Sequence, residues 1–239
     1  MRAKFLLFFI FLSGSLFGIE FNNNDSLNTP KLIIKSDFMS QHLWRGYAMC
    51  DIPSVEPTLE LSHKYYKVGV WSALSMDGKY FEVDTYVKIT YLGFSLAVYD
   101  YYCPGSISSK QSFFNYQQNK TKHTLDLHIE YEGKSLIPFR IILATMIYGD
   151  DINSNTNKNF YSTYLELSCY SHIDKVNLEY FLGFNLFESY YGNKPAIINA
   201  GLKSAGNINI FKNRQVNLQA SIVANPLTNR VFLIVGFGL

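Results

Sequence analysis

Apolar and polar residues alternate along most of this chain with a period of two. In the run from Tyr80 to Tyr91, Phe81, Val83, Thr85, Val87, Ile89 and Tyr91 fall on one face, and Glu82, Asp84, Tyr86, Lys88 and Thr90 on the other. Residues 123–132 repeat the pattern, with Leu125, Leu127, Ile129 and Tyr131 against Thr124, Asp126, His128 and Glu130. Successive side chains of a strand point to opposite sides, so this alternation marks strands with one face in an apolar and one in a polar environment. The same reading predicts twelve strands, near residues 32–44, 54–64, 67–76, 80–91, 93–101, 121–132, 137–148, 160–170, 174–184, 196–206, 215–225 and 230–239. No segment holds a convincing 3.6-residue period. Beyond the amino terminus no run of eighteen apolar residues occurs, which excludes a helical bundle in a membrane.

The connections sort by length. If the first strand rises from the periplasm, the even-numbered turns (Tyr65-Tyr66, Leu92, Gly133 to Leu136, Ser171 to Ile173, Asn207 to Arg214) are mostly tight. The odd-numbered ones, about 45–53, 77–79, 102–120, 149–159, 185–195 and 226–229, include the long polar loops. Short turns on one rim and longer loops on the other are the usual asymmetry of an outer-membrane barrel. Trp44, Tyr65, Tyr66, Tyr91, Tyr101, Tyr102, Tyr148, Tyr161, Tyr170, Tyr190 and Tyr191 sit near strand ends, where interfacial girdles are expected. A soluble β-sandwich also alternates, but it leaves these aromatic ends unexplained. The last strand, VFLIVGFGL, carries an outward set of Val231, Leu233, Val235, Phe237 and Leu239 and is expected to pair with the first strand, since an open sheet edge in hydrocarbon leaves backbone groups without partners.

Composition sharpens the picture. Aromatic residues make up 16% of the chain and charged residues only 17%. The formal net charge of +2 is matched by Arg2 and Lys4, which precede an apolar run from Phe5 to about Phe17. That arrangement predicts a secretory signal over residues 1–18, followed by a short lead at 19–31 and a single barrel domain at 32–239. With no concentrated basic face, a nucleic-acid partner is not expected. The three cysteines match no disulfide framework or zinc site, and no cofactor is expected. Cys50 and Cys103 both fall toward the outer rim, where a disulfide between them is conceivable.

With the strands placed, the chain resembles the TorF-like porin family of bacterial outer-membrane β-barrels over roughly Ile33 to Leu239. The resemblance is carried by SDFMSQHLWRGYAM (Ser36 to Met49), VGVWSA (Val68 to Ala73), LAVYDYYCPG (Leu96 to Gly105), ILATMIYGDD (Ile142 to Asp151), FYSTYLELSCY (Phe160 to Tyr170) and the terminal VFLIVGFGL. Its strongest part is the set Ser36, Asp37, Trp44, Arg45 and Gly46. A terminal Phe is common in such proteins, whereas here Leu239 is last and Phe237 lies two residues before it. The resemblance implies an outer-membrane location and a channel role.

The polar faces give the candidate lumen-lining residues: Glu82, Asp84, Lys88, Asp126, His128, Glu130, Arg140, Glu166 and Glu179. Acids outnumber bases in this set, which favours cations if the pore is open; in a narrow barrel the same charges pair across the lumen and plug it. Arg45 reads either as a ligand-selecting guanidinium or as an anchor for the loop from Asp51 to Glu56. Asp150, Asp151, Asn153, Asn155 and Asn157 offer calcium-like oxygens without an EF-hand's central Gly and closing Glu. A hydrolase needs a Ser, a His and an acid together, but Ser62 and His63 are adjacent and point to opposite faces, and His42, His123 and His172 have no nucleophile at a telling spacing. The expectation is a non-enzymatic outer-membrane barrel that passes small hydrophilic solutes, with the 102–120 loop narrowing its entrance. The alternative is a closed barrel with a structural, adhesion or surface-binding role. The expected partners are outer-membrane lipid, the barrel-assembly machinery and the solutes.

Overall fold

A computed structural model describes residues 29–133, 138–211 and 214–239, so the expected signal segment 1–18 and most of the lead lie outside the described residues, as does most of the Gly133 to Leu136 turn. The described residues contain strands and no helix. In chain order the strands are β1 (Lys31–Met39), β2 (His42–Trp44), β3 (Tyr47–Cys50), β4 (Ser54–Ser62), β5 (Tyr66–Ser75), β6 (Phe81–Tyr91), β7 (Phe94–Gly105), β8 (His123–Glu132), β9 (Phe139–Gly149), β10 (Ile152–Asn153), β11 (Lys158–Asn159), β12 (Thr163–Ile173), β13 (Val176–Asn185), β14 (Ala196–Phe211), β15 (Arg214–Asn225) and β16 (Arg230–Gly238). Twelve of them form one closed antiparallel barrel, in the order β1, β4 to β9, β12 to β16 and back to β1. The expected all-β, twelve-stranded barrel is therefore the fold.

Two strands differ from the sequence reading. The first ends at Met39, and His42 to Trp44 belong instead to the two-stranded β2–β3 hairpin, which is not part of the barrel wall. Its turn is Arg45-Gly46, with both residues at positive φ (48° and 83°), as a two-residue type I′ turn requires. The expected 207–214 loop is mostly strand, because β14 and β15 pair as far as Phe211↔Arg214. One rim therefore carries only tight connections where they are described, and the other carries the β2–β3 hairpin, the 106–122 segment, the β10–β11 loop and the 186–195 segment.

The outward faces are apolar where the alternation placed them. Leu59, Leu61, Val68, Val70, Val87, Ile89, Leu96, Val98, Ile129, Leu143, Leu167, Leu182, Leu218 and Ile222 are all exposed, as are Val231, Leu233, Val235, Phe237 and Leu239 of the last strand. An uninterrupted apolar band of this kind exceeds what an ordinary soluble surface displays. The aromatic girdle is less complete than expected. Tyr65, Tyr91, Tyr161 and Tyr190 are exposed, whereas Tyr101 and Tyr191 are buried, the latter at 2% exposure, and Trp44 packs beside both within the barrel.

Closure is uneven. β1 pairs with β4 through nine residue pairs, Lys31↔Ser62 to Met39↔Ser54. Its other edge meets β16 through three pairs, Asp37↔Gly238 to Met39↔Gly236, extended by backbone bonds between Ser36 and Leu239 and from Ser40 to Val235. Phe38 and Phe237 stack across this seam at 4.9 Å.

The face assignment is open to test. Val87 is 49% exposed at mid-strand. Arg at a lipid-facing mid-barrel position costs about 2–4 kcal/mol. Val87→Arg is therefore expected to reduce the heat-modifiable, folded fraction on a semi-native gel, while Lys88→Arg, on the inward face, leaves it unchanged. Equal folding of the two variants would show that the apolar face does not meet lipid.

Candidate functional site

All nine residues singled out from the polar faces point into the barrel, and all but Asp84 take part in ion pairs. Lys88 Nζ lies 2.6 Å from Glu130 Oε2, and Arg140 reaches both Glu179 (3.0 Å) and Glu166 (3.4 Å). His128 stands between Asp126 (3.1 Å) and Glu130 (3.7 Å). Small residues make these reaches possible: Ala97 lies in register between Lys88 and His128, and Ala144 lies beside His128. Asp84 is the outlier, next to Glu82 on β6 and with Oδ1 buried without a hydrogen-bond partner. The excess of acids is thus largely taken up by cations of the wall and of the β2–β3 hairpin.

The centre of the lumen is occupied by the β2–β3 hairpin. Its tip carries Arg45, whose guanidinium donates to Asp126 Oδ2 at 2.7 Å and to the hydroxyl of Tyr191, and lies 3.1 Å from His128 Nε2. Three rings surround it, with Arg45 Cζ 4.6 Å from the Trp44 centroid, 4.7 Å from Tyr164 and 5.8 Å from Tyr191. The anchor for the loop from Asp51 to Glu56 expected of Arg45 is not what the structure contains. Its carboxylate partner is Asp126, on the opposite part of the wall. Gly46 is forced by position as well as by φ, since a Cβ there would lie 1.9 Å from the carbonyl oxygen of Ile198. Asn225 Nδ2 donates to the Gly46 carbonyl at 3.1 Å and holds the turn from the other side. Gly183 leaves the space in which the Tyr164 ring lies flat against the wall beneath Arg45.

The base of the hairpin has its own clasp. His42 Nδ1 is 3.0 Å from Glu56 Oε1, and its Nε2 is 3.5 Å from Glu82 Oε2. The rings of Trp71 and Tyr80 flank it at 5.1 and 5.7 Å. Burial opposes the charged ring, but the hydrogen bonds and charges of Glu56 and Glu82 outweigh it and raise the His42 pKa to about 9. The 186–195 segment closes over the hairpin. Tyr47 donates its hydroxyl to the Tyr191 carbonyl, and Tyr190 N donates to Ser162 Oγ at 2.8 Å. Ser162 in turn donates to Asp151 through Oγ (2.5 Å) and N (2.9 Å). Asp150 pairs with Lys122 at 2.8 Å, and Asn153 Oδ1 accepts from the backbone of Asn155 at 2.9 Å. The side-chain oxygens of Asp150, Asp151 and Asn153 are therefore engaged within the loops, and no group of three or more metal-ligating side chains occurs among the described residues.

The disulfide left open between Cys50 and Cys103 is not formed. Cys50 and Cys103 are free thiols, one donating to the Ile52 carbonyl (3.3 Å) and the other to Glu82 Oε1 (3.1 Å). The 102–120 loop is anchored on β8. Its Phe113 and Tyr116 pack against His123, which the alternation of β8 puts on the outward face. There His123 is bonded to Asp100 Oδ1 (2.7 Å) and the Phe113 carbonyl (2.5 Å), with Tyr116 stacked at 4.1 Å. A polar His and Asp at outward positions were the signal for this clasp. Ser62 and His63 remain apart in function: His63 stacks on Tyr66 at the tight-turn rim, 4.7 Å between centroids.

Beneath the hairpin, toward the tight-turn rim, lies a cavity of about 430 Å³ bounded by β13 to β16 and roofed by His42, Arg45 and Gly46. The occupied centre and the open lower half make the hairpin a stopper resting on a chamber.

Removing the Arg45 charge leaves Asp126, which is fully buried, without its cation. Breaking such a pair from one side costs on the order of 3–5 kcal/mol. Arg45→Ala is expected to raise amide exchange over residues 42–50 while the barrel strands stay protected; unchanged exchange would refute the anchoring role. The His42 clasp adds a pH dependence. Because the folded pKa is raised from 6.5 to about 9, its contribution is fully present below about 6.5 and is lost as pH rises through about 9. Acrylamide quenching of Trp44 and Trp71 is expected to increase across that interval, and His42→Gln is expected to abolish the change. No family model and no curated protein matches this chain.

Proposed function

We propose that this protein is a non-catalytic outer-membrane β-barrel that admits small hydrophilic solutes when the β2–β3 hairpin leaves the lumen. The observation that carries this reading is the hairpin itself: a charged tip held by a side-chain ion pair, above a solvent-sized chamber. A lumen meant only to be filled has no need of a chamber beneath its filler. The exposed apolar band and the contrast between a tight-turn rim and a long-loop rim support the membrane location. So does the resemblance of Ser36 to Met49 and the terminal strand to TorF-like porins. In this reading the Trp44-Arg45-Gly46 stretch is the latch, Asp126 and His128 are its keeper, and the barrel wall is a rigid frame.

Single-channel recording in planar bilayers distinguishes the resting from the opened barrel. Wild-type protein is expected to conduct rarely and in brief steps, and Arg45→Ala to conduct for a much larger fraction of the time. Silence from both, with folding verified by heat modifiability, would reject the solute path and favour a closed barrel acting through its surface loops. The exposed Phe114 of the clasped 106–120 segment is then the first place to look.

A further inference from the structure

The two sides of the lumen differ in chemistry. On β4 to β9 the interior is acidic, and its carboxylates are largely matched to His42, Arg45, Lys67 and Lys88. On β13 to β16 the chamber wall is built from neutral side chains, Glu179, which is paired with Arg140, and one lysine. Lys203 lies on the chamber wall and is exposed to solvent although it faces inward. Among the described residues it forms no ion pair, in contrast to Lys35, Lys67 and Lys88; its contact is with the ring of Phe181, 5.1 Å from Nζ.

Asn177, Asn199 and Gln219 line the same chamber, the Asn199 amide nitrogen donating to Tyr164 and Glu166 and that of Gln219 to Asp37, so that their amide oxygens and Asn177 face it above an apolar floor of Phe181, Val223 and Ile234. A second polar recess of about 320 Å³, lined by Asn177, Asn207, Asn209, Gln215 and Asn217, adjoins the chamber at Asn177 and provides an amide-lined approach from the tight-turn rim. We infer that the chamber is a binding site for a small monocarboxylate, with Lys203 pairing the carboxylate, the amides meeting a hydrogen-bonding substituent and Phe181 covering the carbon skeleton. A single ammonium is a compact point charge that balances one negative charge. A dianion is disfavoured by Glu179, which is the register partner of Lys203, and by Glu56 in the chamber lining. The volume is that of a small-ligand pocket, which typically spans about 300–1,000 Å³.

The assignment gives the solute path proposed above its substrate class and rests on that reading, but binding in detergent and conductance in a bilayer are separate measurements. The probe is N-acetylalanine, with its neutral amide as a matched control, titrated calorimetrically into the refolded mature protein. The carboxylate is expected to bind at least about tenfold more tightly than the amide, the difference a charge-assisted hydrogen bond supplies. Lys203→Gln is expected to erase that preference and Lys203→Arg to keep it. Equal binding of the two probes, no binding by verified folded protein, or an unchanged preference in Lys203→Gln would each overturn the site. Carboxylate binding by a protein whose Arg45→Ala form stays silent would uphold the site and reject the conducting path alone.

Discussion

The arrangement of this protein hangs on one buried charge. A guanidinium inside a barrel is stable only if a carboxylate and further acceptors meet it there, because removing an ion from water costs several kcal/mol unless it is matched. Arg45 meets that condition through Asp126, His128, Tyr191 and the faces of three rings. Much else serves the same contact. The left-handed Arg45-Gly46 turn aims the side chain, Gly183 lets Tyr164 lie flat beneath it, and the Asp151–Ser162–Tyr190 chain of hydrogen bonds positions Tyr191 above it. The hairpin is thus held by these polar contacts together with the packing of Leu43, Trp44 and Tyr47 against two buried apolar clusters. Because none of these contacts belongs to the barrel ladder, the proposed opening leaves the strand pairing of the wall intact.

The wall itself obeys a different constraint. Each barrel strand must satisfy its backbone through its neighbours and present apolar side chains outward, so its sequence is governed by register and alternation. Inward positions are freer, and there the two halves of the barrel have diverged. Charged and aromatic residues fill the half built from β4 to β12, while Gly201, Ala205, Ser221 and Gly236 keep the half built from β13 to β16 open. The chamber follows from that division of side-chain volume.

The period of two was enough to place the strands, because it records the environment on each side of the wall directly. It misled where a polar or aromatic residue had a tertiary reason to be present. His42, Leu43 and Trp44 continue the rhythm of β1, yet the chain has already left the wall, and only Arg45-Gly46 hints at the turn. The Asn-rich stretch after Gly206 resembles a loop but extends the β14–β15 ladder. Trp44, Tyr101 and Tyr191 were counted toward an interfacial girdle because a strand end near a membrane and a strand end near a buried cation ask for the same residue types. The pairing of Arg45 with Asp126 could not be read at all. Residues 81 positions apart meet across a lumen only for a particular stagger of the strands, which no local pattern encodes.

The unequal joints around the barrel have a mechanical consequence. A closed sheet resists outward pressure as a hoop does, and a hoop parts at its weakest joint. Between β1 and β16 that joint is three residue pairs with a stacked Phe38–Phe237 rivet, set against nine pairs between β1 and β4. The seam between β1 and β16 is therefore the line at which the fewest ladder contacts oppose strain that reaches the wall.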